Sequence, residues 1–169
     1  MAESKNKPVY LVDAQSDPVV IRVDGKACFQ NSGCLRDFIS EMLRHGQKRF
    51  VIDFQHCAGM DSTFLGVLAG AAIELKKPTT NGSLVATRAS ERNQQLLRNV
   101  GLHRLMTMDD GSGPTAEDCI TPLQEKRCSE IETARLVLKA HEDLVSADEG
   151  NRAKFQDVLA FLRQKVEPK

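Results

Sequence analysis

The chain has no tryptophan and a single tyrosine among its 169 residues, and aromatic residues make up only 5% of it. Its core must therefore be filled by aliphatic side chains and seven phenylalanines. An excess of one charge is also missing. The 23 basic and 23 acidic residues cancel, so net charge gives no ground to expect nucleic acid or an anionic membrane as a partner. No apolar run approaches the ~20 residues that a membrane-spanning helix needs. The longest nearly uncharged stretch, Phe64 to Ile73, is far too short. The N-terminal MAESKNKP is polar and lacks the apolar centre of a signal peptide.

Cysteines are few and unpatterned. Cys28, Cys34, Cys57, Cys119 and Cys128 are odd in number and form no CxxC pair. The pattern indicates a reduced cytoplasmic protein, not a disulfide framework or a zinc site. Catalytic signatures are missing as well: there is no phosphate-binding glycine loop, no GxSxG and no HExxH. No cofactor or metal is expected. His45, His56, His103 and His141 are scattered without ligand spacing and read as surface or packing residues.

What is present is a globular mixture, 41% hydrophobic and 27% charged. Val9–Val12 and Val19–Val23 are β-branched runs separated by the turn-like Gln15-Ser16-Asp17-Pro18, and Asp24-Gly25 is expected to end the second. A helix can start at Asn31 or Ser32. Leu35, Phe38, Ile39, Met42 and Leu43 then share one face until Gly46. Arg49–Phe54 reads as a central strand and Ser62 to about Lys76 as a helix barred from continuing by Pro78. That helix is apolar almost all round, as expected of one buried against a sheet. Ser83–Thr87 is a further strand. Ser90 caps a helix closed by Gly101, and Leu102–Met108 can form an edge strand.

The most linker-like passage is Asp109 to Pro114. After it, Thr121-Pro122-Leu123-Gln124 has the form of a helix start with a capping box. Helical periodicity continues to about Val145, breaks over Ser146–Gly150, and resumes with the stripe Phe155, Val158, Leu159, Leu162. The sequence therefore predicts an α/β domain over 1–108 with a mixed β-sheet and helices packed on it. A linker over 109–120 and a C-terminal helical pair over 121–169 follow. The stripe suits packing on the domain or homodimer formation through the C-terminal helices, and the sequence does not choose.

Two places invite a chemical reading. His56-Cys57 would make a nucleophile only if the thiol were activated by a helix N-terminus or a cation; a small packing residue after a strand is the plainer interpretation. A hydrolase built on Cys57 or Ser62 would need His56 or His103 as base, and no orienting third group is evident. Asp61-Ser62 is the stronger candidate. Both types are preferred helix caps, but the pair follows a central strand, where open α/β sheets place function, with Gly59 and Thr63 beside it. A phosphate on Ser62 would face free backbone N–H groups and the positive end of the helix dipole.

These residues resemble a known family. VIDFQHCAGMDSTFLGVLAG, with Asp53 on the strand, Met60 before Asp61-Ser62, and Leu65-Gly66 after it, is similar to the signature of the STAS domain. That domain occurs in bacterial anti-sigma factor antagonists and in sulfate transporter tails. Val23-Asp24-Gly25, Leu84-Val85-Ala86 and the run Leu96 to Leu102 match its other landmarks, so the likeness covers Val9 to about Met108. The family often has glycine two residues after the serine, where this chain has Phe64. Lys26-Ala27-Cys28-Phe29 replaces residues that are commonly acidic or polar, and the helical tail lies outside the usual domain.

The resemblance implies a STAS-like fold and a partner-switching protein of transcription regulation. Ser62 would be the phosphoacceptor for an anti-sigma factor that is also a serine kinase, and a PP2C-type phosphatase would restore it. Asp24, Asn31, Asp61, Thr63 and Phe64 would contribute to partner binding, and the protein itself would not be an enzyme. The alternative is a non-phosphorylated STAS subunit, a signalling scaffold or lipid-transport accessory, in which Ser62 only caps a helix.

Overall fold

The structure is a computed structural model that describes residues 7–111, 113–119 and 121–167. The polar N-terminal residues 1–6 and, within the expected linker, Ser112 and Ile120 lie outside the described residues. The strands are β1 (Tyr10–Asp13), β2 (Val19–Ala27), β3 (Arg49–Met60), β4 (Ser83–Thr87), β5 (Thr107–Asp109) and β6 (Thr121–Pro122). The helices are α1 (Ser32–Arg44), α2 (Ser62–Lys76), α3 (Glu91–Asn99), α4 (Glu130–Ala147) and α5 (Asn151–Val166). One mixed sheet runs in the order β5-β4-β3-β2-β1-β6. β2 to β5 are parallel neighbours, while β1 pairs antiparallel with β2 and β6 antiparallel with β1.

Period-two alternation decides which strand residues meet the helices. Tyr10, Val12, Val19, Ile21, Val23, Phe50, Ile52, Phe54, Leu84 and Ala86 enter the main core with α1, α2 and α3 residues. Two central strands are longer than expected. Asp24-Gly25 does not end β2, which continues to Ala27 through register shifts against β3 on either side of that pair. Gly25 there has φ of +99°, a conformation that costs glycine nothing. The edge strand is shorter than expected: a single 3-10 turn occupies Leu102–Arg104, and only Thr107–Asp109 pairs.

No helix starts at Thr121, where the sequence led us to expect one. Thr121 and Pro122 pair with Val12 and Leu11 as a two-residue edge strand, a position that tolerates proline because one side needs no donor. The helix begins nine residues later. Ser129 accepts from the Glu132 amide and the Glu132 side chain accepts from the Ser129 amide, a complete capping box. Because β5 and β6 lie at opposite edges, the segment between them must cross the sheet. It crosses the face that α1 and α2 leave open. Ala116 and Cys119 pack on Val20 and Leu11, and Arg88 reaches the Pro114 carbonyl. Residues 113–119 of the expected linker thus lie against the sheet, with Ala116 and Cys119 buried on it.

The tail packs on the domain, which the sequence left undecided. α4 lies along α2, and Leu136 and Leu144 join the main core. Its other face holds α5 through Ala134, Leu138, Val145, Leu159 and Leu162. The α4–α5 turn is fastened to the end of α3: Asn151 donates to the carbonyls of Val100 and Leu144, and Arg104 pairs with Asp148 at 3.0 Å. Of the expected α5 stripe, Leu159 and Leu162 are buried and Phe155 is half-buried, whereas Val158 is exposed. No helix among the described residues is long and apolar enough to cross a membrane.

Candidate functional site

The site lies where β3 hands over to α2. Asp61, not Ser62, is the helix cap: its backbone is extended, and its Oδ1 accepts from the Phe64 amide at 2.9 Å. The second oxygen accepts from the Phe29 amide at 2.7 Å, while the Asp61 amide donates to the Ala27 carbonyl. One carboxylate thereby joins the β2–α1 loop to the start of α2. Such charge-assisted bonds to backbone amides are among the stronger ones.

The β2–α1 loop is held from its other end by Asn31. Its Oδ1 accepts from the Tyr10 hydroxyl at 2.8 Å and the Cys28 amide at 3.0 Å, and its Nδ2 donates to the Lys26 carbonyl. Tyr10 is buried, and loss of solvation raises its hydroxyl pKa well above the ordinary value. It therefore stays a proton donor to Asn31 at any physiological pH. The Tyr10 ring is also stacked on Phe64 at 6.3 Å, and Phe64 meets Phe54 edge-on.

Ser62 is thus free of the cap. As the first residue of α2 it turns its hydroxyl outward, and Oγ lies 2.8 Å from Nε2 of His141 on α4. The Nδ1 of His141 lies 2.7 Å from the Val137 carbonyl. A carbonyl can only accept, so Nδ1 carries a proton, and Nε2 is the ring nitrogen that meets the Ser62 hydroxyl. The ring is 3% exposed and packs edge-on against Phe155 of α5 at 5.1 Å between centroids.

Small residues make that approach feasible. A Cβ on Gly66 would collide with the backbone carbonyl of Ala140, and one on Gly70 would meet the carboxylate of Asp143. Glycine at both positions, one helical turn apart, lets α4 settle on α2 at backbone distance. This explains why α2 is apolar around most of its circumference: the sheet covers one side and α4 the other.

Of the residues expected to contribute to partner binding, only Asp24 and Asp61 are partly exposed. Asp24 pairs with Arg22 at 2.7 Å on the rim of β2. Asn31, Thr63 and Phe64 are buried; the Phe64 ring supports the loop from beneath and offers no surface. Cys57 donates weakly to the Gly59 carbonyl, and burial raises its thiol pKa, the reverse of what a nucleophile needs. All five cysteines are free thiols. His141, read from sequence as a surface or packing residue, is the site residue that sequence reasoning missed. Neither ligand spacing nor a motif marks it, and only the fold brings it to Ser62. The described residues contain no cluster of three or more potential metal ligands.

The family profile described as "Mlab, STAS domain" matches residues 10–107, and the chain belongs to the STAS domain family. Among solved structures, the fold is similar to the anti-sigma factor antagonist SpoIIAA in its unphosphorylated form, with a TM-score of 0.52 and 21% identity over 64% of this chain and 92% of that one. The phosphorylated form of SpoIIAA, a Bacillus cell fate determinant, gives 0.51 and 23% over 61% and 92%. A candidate anti-sigma factor antagonist from Thermotoga maritima gives 0.51 and 16% over 66% and 93%. No curated protein matches the sequence. These likenesses establish the SpoIIAA-like mixed sheet, and α4 and α5 complete it with a C-terminal helical pair.

Proposed function

We propose that this protein is a partner-switching binding module of the anti-sigma factor antagonist kind, controlled by phosphorylation of Ser62. The observation that carries the reading is the division of labour at the start of α2. Asp61 alone caps the helix, so the Ser62 hydroxyl is not needed as a cap. A phosphate there meets first-turn amides and the positive end of the helix dipole, so the fold tolerates it.

The partners in this reading are a serine kinase that is also an anti-sigma factor and a PP2C-type phosphatase. In the forward step, a bond forms between Ser62 Oγ and the γ-phosphorus of a nucleoside triphosphate. The bond from that phosphorus to the bridging oxygen breaks, and the hydroxyl proton passes to a base of the kinase. In the reverse step water takes the phosphorus, and the serine oxygen regains a proton. The chain itself acts by binding, not catalysis. A partner packed at Ser62 is lost on modification, because an unpaired phosphate beside Asp61 costs several kcal/mol in desolvation and repulsion. A micromolar complex, worth about −8 kcal/mol, does not survive such a penalty.

A pair of full-length variants tests this against extracts of the native cells. Ser62→Ala is expected to retain a serine kinase that Ser62→Asp releases. Equal retention by the two variants overturns the reading.

A second reading is favoured by two observations: the matched profile carries the description "Mlab, STAS domain", and Ser62 already has a partner in His141. In it the chain is a non-phosphorylated STAS subunit, a scaffold or lipid-transport accessory, and the serine fastens α4. Transporter subunits retained equally by both variants, with no kinase, would select it.

A further inference from the structure

The tail meets the domain at the very residue proposed as the switch. His141 takes the Ser62 hydroxyl, Ala140 closes over Gly66, and Asp143 lies over Gly70. The contact therefore runs along the outer face of α2 from its first residue for more than two turns.

Three features make the hairpin of α4 and α5 separable from what it covers. It has an apolar cluster of its own, Ala134, Leu138, Val145, Leu159 and Leu162, distinct from the main core. It is joined to β6 by the irregular, largely exposed segment 123–129, which the Lys126–Asp37 pair ties to the domain at 2.8 Å. A groove of about 240 Å³, open to solvent, also lies between α1, α2 and α4, lined by Ile39, Val67, Gly70, Leu136, Lys139 and Asp143.

We infer that the α4–α5 hairpin is a self-docked lid on the Ser62 face of α2, and that Ser62 becomes reachable when the hairpin swings away about residues 123–129, breaking the Asn151–Val100 and Arg104–Asp148 contacts that fasten its turn. A kinase or binding partner would then meet the face now filled by α4, so the surface it presents must replace what α4 supplies. That means small residues over Gly66 and Gly70, and apolar side chains where Leu136 and Leu144 now enter the core. A phosphorylated Ser62 cannot keep its present contact with His141, since the phosphoryl group needs the space between Oγ and Nε2. The biological meaning rests on the reading of Ser62 as a switch; the opening itself is measurable without any phosphate.

The geometry provides a lock. A Cβ on Gly70 would stand 3.8 Å from the Cβ of Asp143, close to the spacing found in disulfides. In the full chain carrying Gly70→Cys and Asp143→Cys, hydrogen exchange is measured reduced and oxidised. Reduced, the amides of α4 and α5 are expected to exchange at least about tenfold faster than those of β3, through local opening. Oxidation should bring them to the β3 rate. If α4 and β3 exchange alike in both states, the hairpin does not open by itself and the proposal fails. A covalent dimer joined through the two introduced thiols, as located by peptide mapping, would mean that α4 docks on a second copy, which overturns a lid within one chain.

Access is tested separately with Ser62→Cys in the full chain. Alkylation by iodoacetamide is followed peptide by peptide, with the exposed Cys128 as internal reference. A reachable thiol at a helix N-terminus should react faster than an ordinary one. Under the lid it is expected to be slower than Cys128, and adding Gly66→Val, which wedges α4 away, should reverse the order. Reaction faster than Cys128 without the wedge overturns the lid. Loss of phosphate control would leave all these results unchanged, so failure of the functional reading and failure of the lid remain distinguishable.

Discussion

Ser62 and His141 stand 79 positions apart in the sequence and 2.8 Å apart at the contact of α2 with α4. The bond couples the first residue of the family's signature helix to a segment outside the family match. Ser62→Ala leaves a buried imidazole nitrogen without its partner, which costs about 1–3 kcal/mol. His141→Ala removes the bond and the edge contact with Phe155, and a loss of about 2–4 kcal/mol is expected. In urea unfolding the double variant should lose less than the sum of the two, because the shared bond can be lost only once.

Phe64 is expected to behave as a core residue. Its ring is fully buried between Tyr10 and Phe54. Phe64→Ala should cost about 3–5 kcal/mol by denaturant titration, the range for deleting a buried aromatic ring. A cost below about 1 kcal/mol, the level of a surface change, would place the ring outside the core.

How much of this was legible beforehand can be argued from α2 and α4. The residue pattern alone gave the bounds of α2, Ser62–Lys76, because its cap type, continuous apolar run and terminating proline are all local signals. Its apolar circumference also carried the trace of a second covering layer, but periodicity cannot say whether a sheet, a tail helix or another chain provides it. The false helix start at Thr121 arose because threonine-proline fits a cap as well as an edge strand, and only pairing with β1 decides. The choice of cap between Asp61 and Ser62 was left open for a similar reason. Asp61 and Ser62 are equally good caps, and the extended backbone at Asp61 settled the choice. His141 was invisible because its role depends on a contact of high sequence separation.

Asp61 should matter structurally before any partner is considered. Asp61→Ala removes the cap on Phe64 and the tie to the Phe29 amide, with an expected loss of about 2 kcal/mol. Asp61→Asn keeps one acceptor oxygen and should lose less. Amide exchange at Phe29 gives the diagnostic readout: it should rise sharply in the alanine variant and less in the asparagine variant.

Stability should fall in alkali. Burial pushes the Cys34 and Cys119 thiols up to about 11 and raises Tyr10 and Cys57 as well. Between the ordinary thiol value of 9.0 and about 11, the unfolded chain has lost protons that the folded chain keeps. The unfolded state is therefore favoured as pH rises through that window, and the stability present below it is progressively lost. Urea midpoints should be level up to about pH 8, below the thiol value, and decline above it. Tyr10→Phe should flatten the part of the decline above the ordinary tyrosine value.

The central claim, that Ser62 is the switch, is most directly tested by its phosphate occupancy in the protein isolated from its own cells. Intact mass with fragmentation mapping, taken across growth, stationary phase and stress, is expected to find a fraction of molecules carrying one phosphate, located on Ser62, with occupancy that changes between conditions. Protein that is unmodified at Ser62 in every condition would contradict the account and leave the serine as the fastening point of α4.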